Sequence, residues 1–262
     1  MKNDAIQFSR QDNVGLITLS RPGRANAFDH LMLDQWVNAL VKCRDEDLVK
    51  AIVITGEGNS FCAGVDFAGL DPEEKEHEFL KRLRGGAHRV AQEMFRIEKP
   101  IIGAINGAAI GAGFDMALLC DIRIASEEAQ LGATYIKVGL FPGNGATYNL
   151  PKLIGFSRAL ELLWTGKSFT GRQAAEMGIV SHAVPRHDVL PTAIELAREI
   201  ASMDPALVSA IKRSAYGIAP LAREQAYNVL ASEAAAVRGL PGTRKKIGAL
   251  KLAKTKPETA SK

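Results

Sequence analysis

Residues 106–121 read NGAAIGAGFDMALLCD, a stretch that places Gly107, Gly111 and Gly113 around one carboxylate, Asp115. The strand-like run IIGAI at residues 101–105 precedes it, and apolar residues at helical spacing follow it. The glycines therefore fall at a predicted strand-to-helix turn, where backbone N–H groups are free to meet a ligand. Such a turn is able to hold a phosphate or a negatively charged reaction intermediate, and the motif alone does not choose between them.

The motif differs from the common nucleotide-binding loops. Met116 stands where GxGxxG requires its third glycine, and no GK[ST] follows. Close packing of a helix on a sheet is the alternative explanation for the glycines. An interaction with the helix dipole is the alternative explanation for Asp115.

A second strand ends in a similar turn upstream. Residues 51–67 read AIVITGEGNSFCAGVDF, a predicted buried strand at 51–55 that breaks into small residues including Gly56 and Gly64. Two amides from two such turns, converging on one carbonyl oxygen, would stabilise the charge that develops in enolate or tetrahedral-intermediate chemistry.

Four motifs in combination resemble one known family. They are FCAGVDF at 61–67, NGAAIGAGFDMALLCDIRIAS at 106–126, GLFPGNGATYNLPKLIG at 139–155 and TGKSFTGRQAAEMGIVSHAVP at 165–185. Together they resemble the crotonase superfamily, also called the enoyl-CoA hydratase/isomerase family, over about residues 14–184. The resemblance implies an α/β fold, a crotonase-like spiral of ββα units over residues 1–204. It also implies a C-terminal helical region over 205–262 that builds homotrimers or dimers of trimers.

The resemblance also implies the ligand, an acyl-CoA thioester, with coenzyme A as part of the substrate and no separate cofactor. The enolate would be held by the backbone amides of Val65 and Ala112. The residues implied to bind CoA are Arg24, Ala25, Ala27, Ala63, Gly64, Asp66 and Phe67, although a solvated surface arginine is the alternative for Arg24. The residues implied to line the substrate pocket are Phe114, Pro142, Gly143 and Asn144.

The catalytic positions depart from the family pattern. Hydratases of the family use two glutamates, because adding water across a double bond needs an acid and a base on the same face. Here these positions carry Asp115 and Tyr135. A tyrosine with an ordinary pKa near ~10 is a poor base at neutral pH, although it donates hydrogen bonds. We therefore predict Asp115 as the proton-transfer group and Tyr135 as the replacement for the second acid/base.

Three functions follow from this pattern. The first is a hydratase-like lyase or isomerase that acts on acyl-CoA thioesters. The second is decarboxylation of a malonyl-type thioester in the same oxyanion hole, with Tyr135 and Asn144 orienting the carboxylate. The third is a non-catalytic scaffold that binds acyl-CoA or, through a basic tail, RNA. Dehalogenation, which a family histidine near the position of His88 would suggest, is not expected because Gly143 lacks the required carboxylate, and His88 is interpreted as a helix-surface residue.

Composition limits which other classes of protein and site need to be considered. A chain of 262 residues with 47% hydrophobic residues forms a sizeable core plus an appendage, and no membrane segment and a cytoplasmic location are expected. Three scattered cysteines and five histidines without ligand spacing predict neither disulfides nor a metal site. A net charge of +4 does not favour nucleic acid. The seven basic residues between Ala234 and Pro257 are interpreted as a solvated tail, with CoA-phosphate contact as the alternative.

Local signals predict several element boundaries. Residues 14–19 read as a strand, and Asp29 is a plausible N-cap for a helix carrying Leu33 and Trp36. Residues 71–96 are charge-rich and mostly helical, with a break at Gly85-Gly86. The sequence Thr170-Gly-Arg-Gln173 is typical of a capping box, and Asp204-Pro205 of another helix start.

Overall fold

A computed structural model describes residues 4–69 and 71–254. The described strands alternate with helices along most of the chain. The strands are β1 (Ile6–Gln11), β2 (Val14–Leu19), β3 (Ala51–Gly56), β4 (Ser60–Cys62), β5 (Ile101–Ile105), β6 (Ala108–Ile110), β7 (Ile122–Ser126), β8 (Gln130–Gly132), β9 (Phe169–Thr170) and β10 (His182–Val184). The helices are α1 (His30–Asp45), α2 (Glu76–Gly85), α3 (Ala87–Arg96), α4 (Ala112–Leu118), α5 (Ala146–Ile154), α6 (Phe156–Thr165), α7 (Gly171–Glu176), α8 (Val189–Ala201), α9 (Pro205–Ile218), α10 (Arg223–Arg238) and α11 (Pro241–Lys254).

The strands form two sheets that the chain visits in turn. The larger sheet has the order β1-β2-β3-β5-β7-β10, and the smaller has the order β4-β6-β8-β9. Consecutive strands such as β3 and β4, or β5 and β6, belong to different sheets. Neighbours in the larger sheet are parallel from β2 to β10, and only the β1–β2 hairpin at its edge is antiparallel. Each ββα turn of the chain thus adds one strand to each sheet.

Burial on both faces explains the apolar runs of the larger sheet. All residues of β3 and β5 are buried, so these strands read as continuous apolar segments instead of alternating ones. Side chains of one face, including Val53 and Ile102, pack with Val189 and Ala193 of α8. Side chains of the other face, including Ile54, join the main core around Trp36 of α1.

The predicted helix signals are present where the sequence places them. The Asp29 side chain accepts a hydrogen bond of 2.8 Å from the Met32 N–H and caps α1. Thr170 and Gln173 form a reciprocal capping box at the start of α7. Helices α2 and α3 are separated at Gly86, next to the expected break. Residues close in sequence to each helix end therefore determine where these helices begin or end.

The chain divides into two compact units, residues 1–201 and 202–262. The second unit begins at α9, which Asp204 caps by accepting a hydrogen bond from the Ala206 N–H. Within it, apolar side chains of three helices, among them Leu207, Leu230 and Ile247, line a groove of about 740 Å³. Lys256 of the basic tail lies outside the described residues. No helix in the described part of the chain combines the length and hydropathy of a membrane span.

Candidate active site

The first of the two predicted turns is tied down by backbone hydrogen bonds. The Ala63 N–H donates to the Ala25 carbonyl at 3.0 Å, and the Phe28 N–H donates to the Gly64 carbonyl at 2.7 Å. The Asp66 N–H then returns a bond of 2.9 Å to the Phe28 carbonyl. Residues 63–66 therefore run as a short extended segment alongside residues 25–28, and the N–H of Val65 is not used in this pairing.

The two turns touch each other through glycines. A Cβ atom on Gly113 would lie 2.0 Å from the Cys62 carbonyl oxygen, and one on Gly64 would lie 2.9 Å from the Ile110 carbonyl oxygen and 3.1 Å from the Ala112 nitrogen. Gly64 also has φ of +95°, a left-handed conformation that glycine adopts without strain. Glycine is thus required at both positions for the close approach of the two backbones.

Two backbone N–H groups of the described turns make no hydrogen bond. The Ala112 N–H is the first of α4, and the first N–H groups of a helix have no partner within it. Within residues 4–69 and 71–254, neither the Val65 N–H nor the Ala112 N–H donates a hydrogen bond. The contact between the turns therefore brings two unpaired donors into one neighbourhood.

Asp115 is held in a buried network of three side chains. The carboxylate is fully buried, and its Oδ2 accepts a hydrogen bond of 2.7 Å from the Tyr135 hydroxyl. Asn144 Nδ2 donates in turn to the Tyr135 oxygen at 3.3 Å. The order is Asn144 to Tyr135 to Asp115, and it joins α4, the turn after β8 and the loop before α5.

Burial shifts the acidity of both titratable groups. Desolvation raises the pKa of Asp115 to about 7, although the hydrogen bond from Tyr135 and the nearby backbone N–H groups of Ala146 and Asn144 act in the opposite direction. Desolvation, followed by the nearby Asp115 charge, raises the pKa of Tyr135 far above its ordinary value. Asp115 therefore exchanges protons near neutral pH, whereas Tyr135 stays protonated.

Two acceptor atoms of the network are unpaired. Asp115 Oδ1 and Asn144 Oδ1 are both buried and have no hydrogen-bond partner among the described residues. Most buried polar atoms in proteins are paired, because an unpaired one carries the full cost of desolvation. Two unpaired acceptors at one network mark it as a place where a donor is expected to bind.

A cavity of about 280 Å³ lies beside this network. Its lining residues include Val65, Asp66 and Asn144, together with Leu33 of α1 and Ala87 of α3. Of the three network residues, all within the described part of the chain, only Asn144 lines the cavity. The apolar wall and few polar groups are typical of small-molecule sites.

The structure places the residues predicted to bind CoA in one area. Ala25, Ala27 and Ala63 lie on the paired segments described above, while Arg24 is exposed at the end of a 3-10 turn. Asp66 pairs with Arg21 at 3.0 Å, and Phe67 is 60% exposed. Ala25 and Ala63 are joined by a backbone hydrogen bond, and Arg24 and Phe67 are exposed.

The predicted substrate-pocket residues separate into two groups. Asn144 lines the cavity, and Pro142 and Gly143 precede it on the same half-buried loop. Phe114 is instead buried in the core, where its ring packs edge-on against Phe169 at 5.7 Å. Phe114 does not line the cavity.

Two contacts near the site were not predicted. His88 Nε2 donates to the Gly143 carbonyl at 2.8 Å, so this histidine is half-buried and holds the Asn144 loop, not a free residue of the helix surface. Arg82, which lines the cavity, makes a two-bond ion pair with Glu74 at 2.7 and 2.8 Å. The first contact spans 55 residues, which no local pattern signals.

Comparison with known proteins identifies the family. Residues 9–236 match the family described as enoyl-CoA hydratase/isomerase. The chain belongs to the enoyl-CoA hydratase/isomerase family. It is 35% identical to 2,3-dehydroadipyl-CoA hydratase of Escherichia coli K12 over 206 residues, 79% of each chain.

Solved structures of the enoyl-CoA hydratase/isomerase family have the same fold. The Bacillus anthracis enoyl-CoA hydratase superposes with a TM-score of 0.89 at 30% identity, covering 95% of this chain and 96% of that one. The Mycobacterium smegmatis enoyl-CoA hydratase gives a TM-score of 0.89 at 25% identity, covering 97% and 98%. The predicted crotonase-like α/β fold is thereby confirmed. Family membership indicates an enzyme that transforms acyl-CoA thioesters.

Proposed function

We propose that the protein hydrates an enoyl-CoA thioester, or removes water from the corresponding hydroxyacyl thioester. The observation that carries the proposal is the buried Asp115 carboxylate, with a pKa of about 7 and one unpaired oxygen, close to two turns that offer unpaired N–H groups. A carboxylate with this pKa both accepts and returns a proton at neutral pH. The Val65 and Ala112 amides would bind the thioester oxygen as negative charge develops on it.

The unpaired atoms of the network formed by Asn144, Tyr135 and Asp115 favour the binding of water over the binding of a substrate carboxylate. Asn144 Nδ2 and the Tyr135 hydroxyl are the donors that a malonyl-type carboxylate would need. The single Tyr135 proton and one of the two Asn144 Nδ2 protons are used within the network. The unpaired atoms are acceptors, Asp115 Oδ1 and Asn144 Oδ1. Acceptors repel a carboxylate and bind O–H groups. This distribution supports hydration over decarboxylation.

Tyr135 would act as a neutral donor and not as a second acid/base. Its pKa is raised far above neutral, and its one proton is directed at Asp115 Oδ2. A phenol in this state orients the carboxylate and stabilises its charged form. The chemistry that two glutamates share in related hydratases would therefore depend on Asp115 alone as the titrating group.

We expect the substrate binding and the subunit assembly that the family resemblance implies. Coenzyme A would enter as part of the substrate, along the segments that carry Arg24, Ala63 and Phe67, and no further cofactor is required. The acyl group would occupy the 280 Å³ cavity. The α9–α11 helices, with an apolar groove, would build a homotrimer or a dimer of trimers. We expect the enzyme to act in the cytoplasm.

The test is a panel of acyl-CoA thioesters analysed by mass spectrometry. We expect an enoyl-CoA to gain the mass of one water and malonyl-type thioesters to remain unchanged. Loss of carbon dioxide would identify the decarboxylase instead, and an unchanged mass with a shifted absorbance would identify an isomerase. No reaction with any thioester, together with RNA binding that weakens steeply with salt, would favour the non-catalytic scaffold.

A further inference from the structure

We propose that Asn144 orients the oxygen that is added to the acyl β-carbon, by accepting a hydrogen bond from it at Oδ1. The inference rests on the proposed hydration and deepens it, since it assigns a residue to the reacting water. It makes Asn144 a direct contact of the reacting group and leaves Tyr135 a positioning residue.

The orientation of the Asn144 amide follows from its neighbours. An ionised Asp115 only accepts hydrogen bonds, so the Tyr135 proton points to Asp115 Oδ2 at 2.7 Å. The Tyr135 oxygen then needs a donor, which Asn144 Nδ2 supplies at 3.3 Å. This leaves Asn144 Oδ1 as the atom without a partner among the described residues.

The Asn144 side chain stands at the cavity wall, although its Oδ1 atom is itself buried. Asn144 is 8% exposed and is the network residue that lines the 280 Å³ cavity. Val65, whose N–H is a proposed donor to the thioester oxygen, lines the same cavity. A thioester held at Val65 would thus extend its acyl group past Asn144.

The two unpaired acceptors match the two O–H groups of one water molecule. One O–H would point to Asp115 Oδ1 and the other to Asn144 Oδ1. A carboxylate oxygen alone leaves the water free to rotate about one hydrogen bond. The second acceptor fixes the direction of the oxygen lone pair, and reaction rates are sensitive to such alignment.

The chemical step balances with these groups. As the water oxygen bonds to the β-carbon, one water proton moves to Asp115 Oδ1, and the electron pair of the double bond moves to form the enolate. The protonated Asp115 then delivers that proton to the α-carbon and returns to the carboxylate. The remaining O–H, bound to Asn144 Oδ1, stays in the product as the hydroxyl group. Asn144 is unchanged throughout.

The experiment compares two reactions in three variants. Hydration of crotonyl-CoA needs an oriented water, whereas α-proton exchange of butyryl-CoA in D₂O needs only the base and the enolate site. Asn144→Leu removes Oδ1, Asn144→Thr keeps one oxygen that both donates and accepts, and Asn149→Leu removes an amide of the neighbouring helix that does not line the cavity. Circular dichroism checks that all three fold.

We expect Asn144→Leu to lower the kcat for hydration by roughly 10²-fold, with a smaller loss in Asn144→Thr and none in Asn149→Leu. The KM for crotonyl-CoA and the rate of butyryl-CoA exchange should change by less than about threefold, because Asp115 and the amides remain. Hydration by Asn144→Leu at the parental rate would overturn the role of Asn144 and leave the proposed function standing. An equal loss of hydration and exchange would reduce Asn144 to a structural residue. A parent without hydratase activity would overturn both proposals.

Discussion

Tyr135 donates its hydroxyl proton to Asp115 Oδ2 at 2.7 Å, in a site where the carboxylate has no solvent exposure. The bond acts on the two groups in opposite ways. It stabilises the charged Asp115 and makes Tyr135 harder to ionise. Because desolvation outweighs this bond, the pKa of Asp115 is raised to about 7, close to the pH at which a proton-transfer group is most effective.

Activity should rise with pH through about 7, because the proposed base is the ionised Asp115 and its pKa is about 7. Asp115→Asn should remove nearly all proton transfer, since the amide keeps the shape but not the base. The measurement is crotonyl-CoA hydration from pH 5 to 9, with calorimetric titration of a CoA thioester to show that binding persists. An Asp115→Asn variant with parental hydration would mean that another group is the base.

The same substitution should stabilise the fold at alkaline pH. The pKa of Asp115 is about 7 in the folded state and 3.8 in the unfolded chain, so this group opposes folding increasingly as pH rises from about 4 to 7. Asp115→Asn removes that penalty, and its gain in unfolding free energy should be about 2 to 3 kcal/mol larger at pH 8 than at pH 5. Urea unfolding at the two pH values measures the difference. An equal gain at both would show that Asp115 titrates normally.

Tyr135→Phe should shift the pH profile to higher pH. The variant deletes the hydrogen bond that lowers the pKa of Asp115, so the carboxylate pKa rises above about 7 and less of the base is ionised at neutral pH. We expect lower hydration at pH 7 with recovery near pH 9. A Tyr135→Phe enzyme that is inactive at every pH would instead assign Tyr135 a direct part in proton transfer.

Ala112→Pro tests the backbone donor directly. Proline lacks the N–H but suits the first position of a helix, which Ala112 occupies in α4. Turnover should fall roughly 10²-fold or more, as in other oxyanion-hole deletions. Ala112→Ser keeps the N–H and serves as the control, with activity near the parent. A folded proline variant with full turnover would refute the role of this amide.

Sedimentation should show a trimer or a multiple of it at micromolar concentration. The reason is the apolar groove within residues 202–262, where Leu207 and Ile247 contribute to the lining and where Ile211 is 61% exposed. Apolar surfaces of this extent are typical of subunit interfaces. A stable monomer at that concentration would contradict the prediction.

The sequence predicted the local elements well and the long-range contacts poorly. Strands β2 and β5 match the predicted residues, since buried parallel strands require continuous apolar runs. The capping box at Thr170 and the cap at Asp204 depend on residues only two or three positions apart. Such signals are readable without the rest of the fold.

The candidate site needed contacts that local patterns do not contain. The family resemblance singled out Asp115 and Tyr135 and placed Asn144 at the substrate pocket. It did not indicate that Asn144 donates to Tyr135, nor that Asp115 is fully buried. His88 was interpreted as a helix-surface residue once dehalogenation was set aside, and no local pattern signals its hydrogen bond to the Gly143 carbonyl, 55 positions away. The family resemblance implied Phe114 at the pocket, yet its ring packs against Phe169. Adjacent positions on a helix face different directions.

The contact between the two glycine turns has an evolutionary consequence. At Gly113 a side chain would lie 2.0 Å from the Cys62 carbonyl oxygen, so mutation is strongly restricted there, while the N–H groups beside it belong to every amino acid except proline. Backbone N–H donors therefore persist when the side chains around them are replaced. A lineage could exchange a glutamate for Asp115 or Tyr135, and thereby change its reaction, without losing its hold on the substrate carbonyl.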